Sequence, residues 1–400
     1  MLKYRILLQK HHLSPSTPFL FSNIMLTFAK DKTQRPNKMQ TVHIFNPEHD
    51  MALAYDDEHF TPPHAGRAMR ADLSFLPVLW AKEGDTVVVD NVEQALEKVR
   101  HIKRPLPHVN YLTLSQLPRL AHREVSFDVW GWDTAVRRQL LRQGFDAGLL
   151  PSDETLARIR RYSHRQWAAE VLAEVREQHG FTTGEATAVD DIGRLEALTD
   201  RGGEWVVKAP WSCSGRGVRH VAGPLTPQLR SWVAKTISQQ GSIMLEPKYS
   251  KVKDFGMEFE SDGKGHIAYR GLSLFHTERG AYSGNLLATE DDKLSLIGRY
   301  VSMERLGKIT ATLIKCLSAR LRNIYEGPLG VDMMVVASAD GTEPCLVHPC
   351  VEINLRRTMG HVALALQPTP LEPQQLMRIG YDGHYHLKIN TLKTNNSTDR

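Results

Sequence analysis

The stretch that most constrains this chain is EWVVKAPWSCSGRGV, residues 204–218, a β-rich run with one lysine that leads into a glycine-punctuated loop. Its aromatic and β-branched residues favour a strand that ends at Lys208, and Pro210 then stops regular pairing. The loop that follows holds small residues and a second cation: Ser212, Ser214, Gly215, Arg216 and Gly217. Small residues let backbone N–H groups approach an anion, and the cations supply the charge that a triphosphate requires. A strand followed by a glycine-rich turn is more often a simple hairpin, so a phosphate site is indicated only if partner residues occur elsewhere.

Length and cysteine content limit the class of protein. A chain of 400 residues is long for one core, so two or three subdomains are expected. Its four cysteines include no CxxC pair and fit neither a disulfide framework nor a structural zinc site, which favours a reducing, cytoplasmic compartment. No apolar run approaches the roughly 18 residues that span a bilayer, so a membrane partner is not expected.

The net charge of +5 is concentrated at the amino terminus. Residues 1–38 hold seven basic residues and one acidic residue, whereas the remainder holds 43 basic and 44 acidic residues. A basic nucleic-acid-binding face is therefore disfavoured. The first thirty residues lack acids, as targeting peptides do, but they show no small-residue cleavage site after a clean apolar stretch. We prefer the interpretation that residues 1–38 are a disordered or spurious extension and that the folded protein begins at Met39.

Two predicted strands, residues 41–46 and 85–90, and the helix that follows the second indicate a small α/β domain over residues 39–125. The loop after the first strand is rich in histidine and acidic residues: His49, Asp50, Asp56, Asp57, Glu58, His59 and His64. These residues show no HxxxH or HExxH spacing. We therefore expect this loop to be solvated or to line a substrate rather than to bind a metal ion.

Helices are predicted for residues 131–145 and 152–178, because apolar residues recur there at intervals of three and four. Ser163, His164 and Arg165 interrupt the second helix. Arg165 is therefore predicted either to face a ligand or to be solvated.

The second half of the chain alternates strands and helices. The predicted elements are a helix over 225–239, strands over 242–248, 254–260 and 266–275, a long helix from Leu294 to about Tyr325, and a hairpin of strands 329–338 and 344–355. Residues 276–285 are predicted to form either a lid that orders when nucleotide and acceptor are both bound or an ordinary surface loop. Residues 371–400 are predicted to be a C-terminal tail.

The hairpin carries three oxygen-bearing side chains. Asp332 lies on its first strand, and Glu352 and Asn354 lie on the second with a spacing that directs both side chains to one face. Hard oxygen ligands suit Mg²⁺, which usually bridges a few protein oxygens to phosphates. Arg356 follows on the same face. These are the partners that the lysine and glycine loop requires.

The order of these elements resembles the ATP-grasp superfamily of carboxylate–amine ligases over about residues 155–366. The resemblance implies an α/β ATP-grasp fold, with the ATP-grasp domain over residues 126–370 and the smaller domain of residues 39–125 before it. In that family the strand lysine, here Lys208, contacts the α-phosphate, and an upstream lysine is replaced here by Arg165. The nucleotide residues that the resemblance implies are Lys208, Arg165, Ser214, Gly215, Arg216 and Gly217 at the phosphates, Glu246, Lys248 and Tyr249 at the adenine, and Asp254 at the ribose.

The resemblance also implies the metal and the acceptor sites. Asp332, Glu352 and Asn354 occupy magnesium positions, where manganese is an alternative ion, and Arg356 occupies the position of the catalytic arginine. Arg270 and Asn285 match the acceptor-site positions of ribosomal-protein glutamate ligases and glutathione synthetases. The 20-residue separation of Asp332 and Glu352 is long for the family, and a longer hairpin turn would absorb it.

These residues imply an ATP- and Mg²⁺-dependent ligase that activates a carboxylate as an acyl phosphate and couples it to an amine or, less readily, a thiol. The carboxylate and the acceptor, which could be a small molecule, an amino acid, a peptide or a protein, are left open. The alternative is an ATP-binding regulatory or partner-binding protein without turnover. A protein kinase is excluded although residues 254–256 read DFG, because no HRDxxxxN motif lies between Lys208 and that triplet. The sequence contains no GxxxxGK[ST], GxSxG or HExxH motif.

We predict that deleting residues 1–38 leaves the melting temperature unchanged within error, because their apolar residues show no periodicity that continues into the body of the chain. Differential scanning calorimetry of the full-length and the shortened protein would test this. A loss of several degrees would show that the segment packs on the core.

Overall fold

The computed structural model describes residues 39–212, 215, 217–278, 281–338, 341 and 343–392. These residues form one parallel and three antiparallel sheets of four strands each, with helices between them. The predicted α/β class with a small α/β domain at the start is therefore confirmed. Within the described ranges, none of the helices combines the length and the apolar character that a membrane crossing requires. Residues 1–38 lie outside the description.

The first sheet is parallel, with the strand order β3-β2-β1-β4. Its elements are β1 (Gln40–Ile44), α1 (His49–Tyr55), α2 (His64–Leu73), β2 (Thr86–Val88), α3 (Val92–Arg100), β3 (Asn110–Leu112), β4 (Val125–Val129) and α4 (Thr134–Arg142). Val87 and the adjacent Val88 point to opposite faces, and each packs into a separate apolar cluster. Both faces of the sheet are therefore covered, as is usual for parallel strands.

The break predicted at residues 163–165 separates α5 (Asp153–Tyr162) from α6 (Arg165–Gln178). His164 caps α6, because its Nδ1 accepts a hydrogen bond of 3.0 Å from the backbone N–H of Gln166. Arg165 is thereby the first residue of the helix, and its side chain is buried.

The second sheet surrounds the lysine strand, with the order β5-β8-β6-β7. Its elements are β5 (Thr187–Val189), α7 (Ile192–Thr199), β6 (Glu204–Lys208), β7 (Val218–Ala222), α8 (Pro227–Gln240) and β8 (Ile243–Pro247). Thr226 caps α8 and Pro227 occupies its first position, which confirms the helix predicted over 225–239.

The remaining strands form two antiparallel sheets, ordered β10-β9-β13-β14 and β11-β12-β15-β16. The elements are β9 (Lys251–Asp262), β10 (Ile267–Ser273), β11 (Phe275–Glu278), β12 (Ala281–Leu287), α9 (Glu290–Ile297), α10 (Met303–Leu321), β13 (Glu326–Ala337), β14 (Cys345–Asn354), α11 (Met359–Ala365), β15 (Gln375–Tyr381) and β16 (Tyr385–Thr391). The antiparallel pairing of β13 with β14 confirms the predicted hairpin. Residues 339, 340 and 342 of its turn lie outside the described residues.

Three expectations for the second half of the chain differ from the structure. The long helix predicted from Leu294 to Tyr325 is two helices, because Ser302 caps a new helix by accepting a hydrogen bond from the backbone N–H of Arg305. Residues 276–285, expected as a lid or a surface loop, lie in β11 and β12, apart from residues 279 and 280, which are outside the description. Residues 375–391, expected as part of a tail, form β15 and β16.

Contacts that are distant in sequence account for the last two differences. β12 pairs with β15, so neither strand is evident without the other. Met377 of β15 is fully buried in an apolar cluster that also holds Phe45 and Leu76 of the first domain. The backbone N–H of Tyr385 donates a 2.8 Å hydrogen bond to Asp72 Oδ2 of α2.

A buried histidine ties the first sheet together. His43 Nδ1 lies 3.0 Å from Asp128 Oδ2, and its Nε2 lies 3.0 Å from Asp85 Oδ2. Burial lowers the pKa of His43, but the hydrogen bonds to Asp128 and Asp85 outweigh it and raise the pKa above its ordinary value. Arg357 and the indole N–H of Trp80 also donate to Asp128, both at 3.0 Å. The network therefore joins the sheet to the residue that follows Arg356.

Because the pKa of His43 is raised in the folded protein, protonated His43 stabilises the fold below about pH 6.5, and this contribution is lost as the pH rises through the raised pKa. Each unit by which the pKa is raised corresponds to about 1.4 kcal/mol. We expect the free energy of unfolding in urea to fall more steeply between about pH 6 and about pH 9 in the wild type than in His43→Gln.

The matched control is His122→Gln, since His122 is exposed in the same domain. This variant should keep the slope of the wild type. Identical slopes in the wild type and in His43→Gln would contradict a stabilising role for the protonated ring.

Candidate functional site

The pairing of β13 with β14 brings the three predicted metal residues to one face of the sheet. Asp332 lies directly opposite Glu352, and Gly330 lies opposite Asn354. Directly opposed residues of antiparallel strands project to the same side. The Asn354 amide Nδ2 donates to Asp332 Oδ2 at 3.3 Å. The side chains predicted from the Glu-x-Asn spacing therefore lie together.

The electrostatics of this face favour a cation. Burial, together with the negative charges of Glu352 and Glu258, raises the pKa of Asp332 to about 8. Among the described residues, no three His, Cys, Asp or Glu side chains come close enough together to hold a metal ion. Asp332 and Glu352 offer two carboxylates and Asn354 offers an amide oxygen. This set of hard oxygen donors fits Mg²⁺, which takes few protein ligands and relies on water and phosphate for the others.

Arg356 is held by an acid from the first domain. Its Nε and Nη2 donate to the two oxygens of Asp50 at 2.8 Å each, and Nη2 also donates to Asn354 Oδ1 at 2.8 Å. Burial opposes the charged guanidinium, but the charge of Asp50 raises the pKa of Arg356 above its ordinary value. Asp50 belongs to the segment predicted to be a solvated or substrate-lining loop, but the prediction of a loop is wrong at this position, because Asp50 lies in α1. Its link to Arg356 spans 306 positions, and no local pattern in the sequence indicates it.

Arg165 joins the predicted metal face, which is the sheet face that carries Asp332, Glu352 and Asn354, to the loop after Lys208. Its Nη2 donates to Glu352 Oε2 at 2.8 Å, and its Nη1 donates to Ala209 O at 2.5 Å and to Ser212 Oγ at 3.0 Å. Of the two predictions for this arginine, the solvated one is wrong, because the side chain is only 7% exposed. The structure places it between two predicted parts of the site.

Lys208 forms a buried ion pair with Glu246, with 2.5 Å between Nζ and Oε2. Both residues were predicted to bind nucleotide, and the pairing of β6 with β8 brings them together. In the loop, Gly215 has φ of 72°, a conformation that glycine adopts readily. A Cβ at Gly217 would collide with the side chain of Ser212. Ser214 and Arg216 lie outside the described residues.

His348 is a buried residue beside this pair that the sequence reasoning missed. Neither of its ring nitrogens has a hydrogen-bond partner within the described part of the chain. Burial and the charge of Lys208 lower its pKa to about 3, so the ring is neutral at physiological pH. The Tyr249 ring lies edge-on to it, with 5.6 Å between centroids. A lone histidine on a strand carries no motif, so the sequence offered no signal for this residue.

The other predicted nucleotide residues lie in three different environments. Burial raises the pKa of Tyr249 to about 12. Lys248 pairs at the surface with Glu204, with 2.8 Å between Nζ and Oε1. Asp254 Oδ2 accepts hydrogen bonds from Lys251 at 2.5 Å and from the Thr277 hydroxyl at 2.7 Å, so it is tied to β11.

The two predicted acceptor residues differ in position. Asn285 is buried, and its Nδ2 donates to Ser273 Oγ at 2.7 Å. Ser273 pairs with Gly256, which in turn pairs with Asp332, so the Asn285 side chain contacts the residue at the far end of the row that holds Asp332. Arg270 is exposed on β10, which is an edge strand, and it pairs with Glu260, with 3.0 Å between Nη2 and Oε2. The structure does not bring Arg270 together with the metal face.

Glu258 is a third acid on this face that the sequence reasoning missed. It lies opposite Gly330, one row along from Asp332. Its Oε2 accepts a 2.9 Å hydrogen bond from the Thr358 hydroxyl and lies 3.0 Å from His361 Nδ1. A side chain at Gly360 would collide with Glu258, so a glycine is required there.

No protein-family model and no curated protein matches the sequence. Among solved structures, the chain is similar to N5-carboxyaminoimidazole synthetase from Staphylococcus aureus complexed with ADP, at 12% identity and a TM-score of 0.45, over 86% of this chain and 84% of that one. It is similar to a biotin carboxylase–β,γ-ATP complex from Campylobacter jejuni, at 12% identity and a TM-score of 0.49, over 86% and 76% of the two chains. It is also similar to an ATP-grasp superfamily protein from Archaeoglobus fulgidus, at 12% identity and a TM-score of 0.45, over 88% and 100%.

The Asp50–Arg356 pair generates a stability prediction. Replacing Asp50 with Asn leaves the buried Arg356 charge without its carboxylate, so we expect a loss of about 3 kcal/mol in the free energy of unfolding. The double variant Asp50→Asn/Arg356→Gln should recover part of that loss, because the unpaired charge is gone. Urea denaturation would measure both.

The exposed pair of Glu154 and Arg158 supplies the control. Glu154→Gln should change the free energy of unfolding by less than about 1 kcal/mol. Strictly additive effects of the two substitutions at Asp50 and Arg356 would argue against direct coupling.

Proposed function

We propose that this protein is an ATP- and Mg²⁺-dependent ligase that activates a carboxylate as an acyl phosphate and joins it to an amine. The observation that carries the proposal is the set of Asp332, Glu352 and Asn354 on one sheet face, with Arg165 and Arg356 bonded to members of that set. Two carboxylates, an amide oxygen and two arginines in one place are what a magnesium–polyphosphate complex requires.

Three cations would receive the nucleotide and the transferred phosphoryl group. Lys208, Arg165 and Arg356 are each paired with an acid, and these acids are Glu246, Glu352 and Asp50. Phosphate oxygens compete with carboxylates for the same donors. Lys208 and Arg165 would contact the phosphates, with the loop of residues 212–217 folded over them. Arg356 would stabilise the charge that develops on the phosphoryl group in transfer.

The nucleoside would bind between the second sheet and β14. The neutral His348 ring presents one donor and one acceptor, which suits the edge of a purine base. Glu246, Lys248 and Tyr249 would complete the base site, and Asp254 would accept hydrogen bonds from the ribose hydroxyls.

Chemically, a substrate carboxylate oxygen attacks the γ-phosphorus, and ADP leaves. The amine then attacks the acyl carbon, phosphate leaves, and the amine proton is lost to a base. Mg²⁺, or Mn²⁺, held by Asp332, Glu352 and Asn354, would neutralise phosphate charge. Water must be excluded because it would capture the acyl phosphate.

We assign the acceptor site to Asn285, and Arg270 is the more distant candidate. The acceptor would be a small molecule or a peptide. The unpaired thiols of Cys316, Cys345 and Cys350 suit a cytoplasmic location.

The test is ADP release stimulated by a pool of amino acids and dipeptides. Lys208→Ala should reduce this release about a hundredfold or more, because it removes a charge contact to the phosphates in the transition state. Glu352→Gln should raise the Mg²⁺ concentration needed for half-maximal rate, since one ligand charge is lost.

Lys235→Ala, at an exposed position of α8, is the matched control and should keep the rate of the wild type. Undiminished ADP release in Lys208→Ala would refute the assignment. Binding of an ATP analogue without ADP release, whatever acceptor is added, would instead indicate a regulatory ATP-binding protein.

A further inference from the structure

A cavity lies in the first domain, and none of the predicted nucleotide residues lines it. It has a volume of about 560 Å³ and opens at the carboxyl ends of β1, β2 and β3, where its wall includes Phe45, Asn46, Val89 and Leu114. Ligands of open α/β sheets bind outside the carboxyl ends of the strands, where the strand order reverses. In this sheet the strand order reverses at β1, because β2 and β3 lie on one side of β1 and β4 lies on the other. The size falls within the range of small-molecule sites.

One end of this cavity has an unsatisfied acceptor. Glu48 lines the cavity, and its side chain is only 6% exposed. Its Oε1 accepts a 2.7 Å hydrogen bond from Arg70, whereas its Oε2 is buried without a hydrogen-bond partner in the described part of the chain. Asp133 lines the same cavity and adds a second negative charge. A buried carboxylate oxygen in this position calls for a ligand donor, and an ammonium group offers three N–H bonds and a compensating charge.

The wall formed by α4 has unsatisfied donors. Arg138 and Arg142 lie one turn apart on this helix and both line the cavity. Arg138 is paired through Nη1 with Glu58 at 2.7 Å, but its Nε is buried without a hydrogen-bond partner among the described residues. Arg142 is exposed, and no described residue forms an ion pair with it. Guanidinium groups match the geometry of a carboxylate.

We propose that this cavity binds a small zwitterion, an amino acid or a short peptide, with its ammonium group at Glu48 and its carboxylate at Arg138 and Arg142. The apolar surface between the two ends, which includes Phe45 and Val136, would contact the ligand's hydrocarbon part.

The cavity is connected to the candidate nucleotide site through three consecutive residues. Glu48 lines the cavity, His49 Nδ1 lies 3.1 Å from Asp133 Oδ2, and Asp50 holds Arg356. A ligand at Glu48 is thus two residues away from the acid that positions the candidate catalytic arginine. That the bound zwitterion is a substrate of the ligase rests on the proposed function, whereas its binding does not.

The test is calorimetric titration of the full-length protein, without nucleotide, with each of the twenty common amino acids and with alanylalanine. At least one of these probes should bind. The N-acetyl derivative of that probe lacks the ammonium group, and its amide lacks the carboxylate, so each should bind at least about tenfold more weakly.

Variants locate the two ends of the ligand. Glu48→Gln should weaken binding of the unmodified probe at least about tenfold. It should not weaken binding of the N-acetyl derivative further, because that derivative has no ammonium group to interact with Glu48. Arg142→Gln should likewise weaken binding of the unmodified probe and should not weaken binding of its amide further, because the amide has no carboxylate to interact with Arg142. Arg142 is exposed, so this variant is expected to fold even if Glu48→Gln does not. Arg137→Gln, on the same helix but outside the cavity lining, is the control and should stay within about twofold of the wild type.

Three outcomes would overturn the inference. These are no binding of any zwitterion, binding that Glu48→Gln and Arg142→Gln both leave unchanged, and exclusive binding of inorganic phosphate or ribose 5-phosphate. The same titration on Lys208→Ala separates this inference from the proposed ligase. If Lys208→Ala binds the probe and releases ADP at the undiminished rate, only the Lys208 assignment is overturned. If Lys208→Ala loses ADP release and no probe binds, only this inference is overturned.

Discussion

The double hydrogen bond between Arg356 and Asp50 is the contact on which the arrangement of the site depends. A buried guanidinium is costly unless a carboxylate neutralises it, and Asp50 meets Arg356 with both of its oxygens. The next residue, Arg357, binds Asp128 of β4, and its backbone N–H donates to Trp130 O at 2.8 Å. Two consecutive arginines after β14 thus attach the metal face to two separate points of the first domain. This double attachment sets the position of α1 relative to Asp332 and Glu352.

The distribution of charge suggests how a nucleotide would alter the site. Lys208, Arg165 and Arg356 are paired with Glu246, Glu352 and Asp50, whereas Asp332 has a carboxyl group whose pKa is raised by burial and by neighbouring acids. In the proposed ligase, a magnesium–triphosphate complex would bring cationic charge to Asp332 and anionic charge to the three cations. Binding would therefore exchange partners within an existing set of charges, which requires less rearrangement than assembling those charges anew.

Where sequence reasoning missed strands, pairing between distant segments was responsible. β15 and β16 carry weak alternation, and they form because β12 offers an edge and because Met377 packs against the first domain. The two helices of residues 290–321 were merged because apolar residues continue through the junction, where a single side chain, Ser302, begins the second helix. His348 escaped notice because a lone histidine on a strand carries no motif, and only burial beside Lys208 makes it distinctive.

What could be predicted from the sequence was local geometry and chemical type. The pleat of a strand places Glu352 and Asn354 on one face, a threonine–proline pair starts α8, and His164 interrupts a helix, all through interactions that reach only a few residues along the chain. The tertiary structure alone decided which charges meet. The pairs Asp50–Arg356, Arg165–Glu352 and Lys208–Glu246 are separated by 306, 187 and 38 positions. Ion pairing acts through space and leaves no periodic trace in the order of residues, so these contacts depend on how the sheets are assembled.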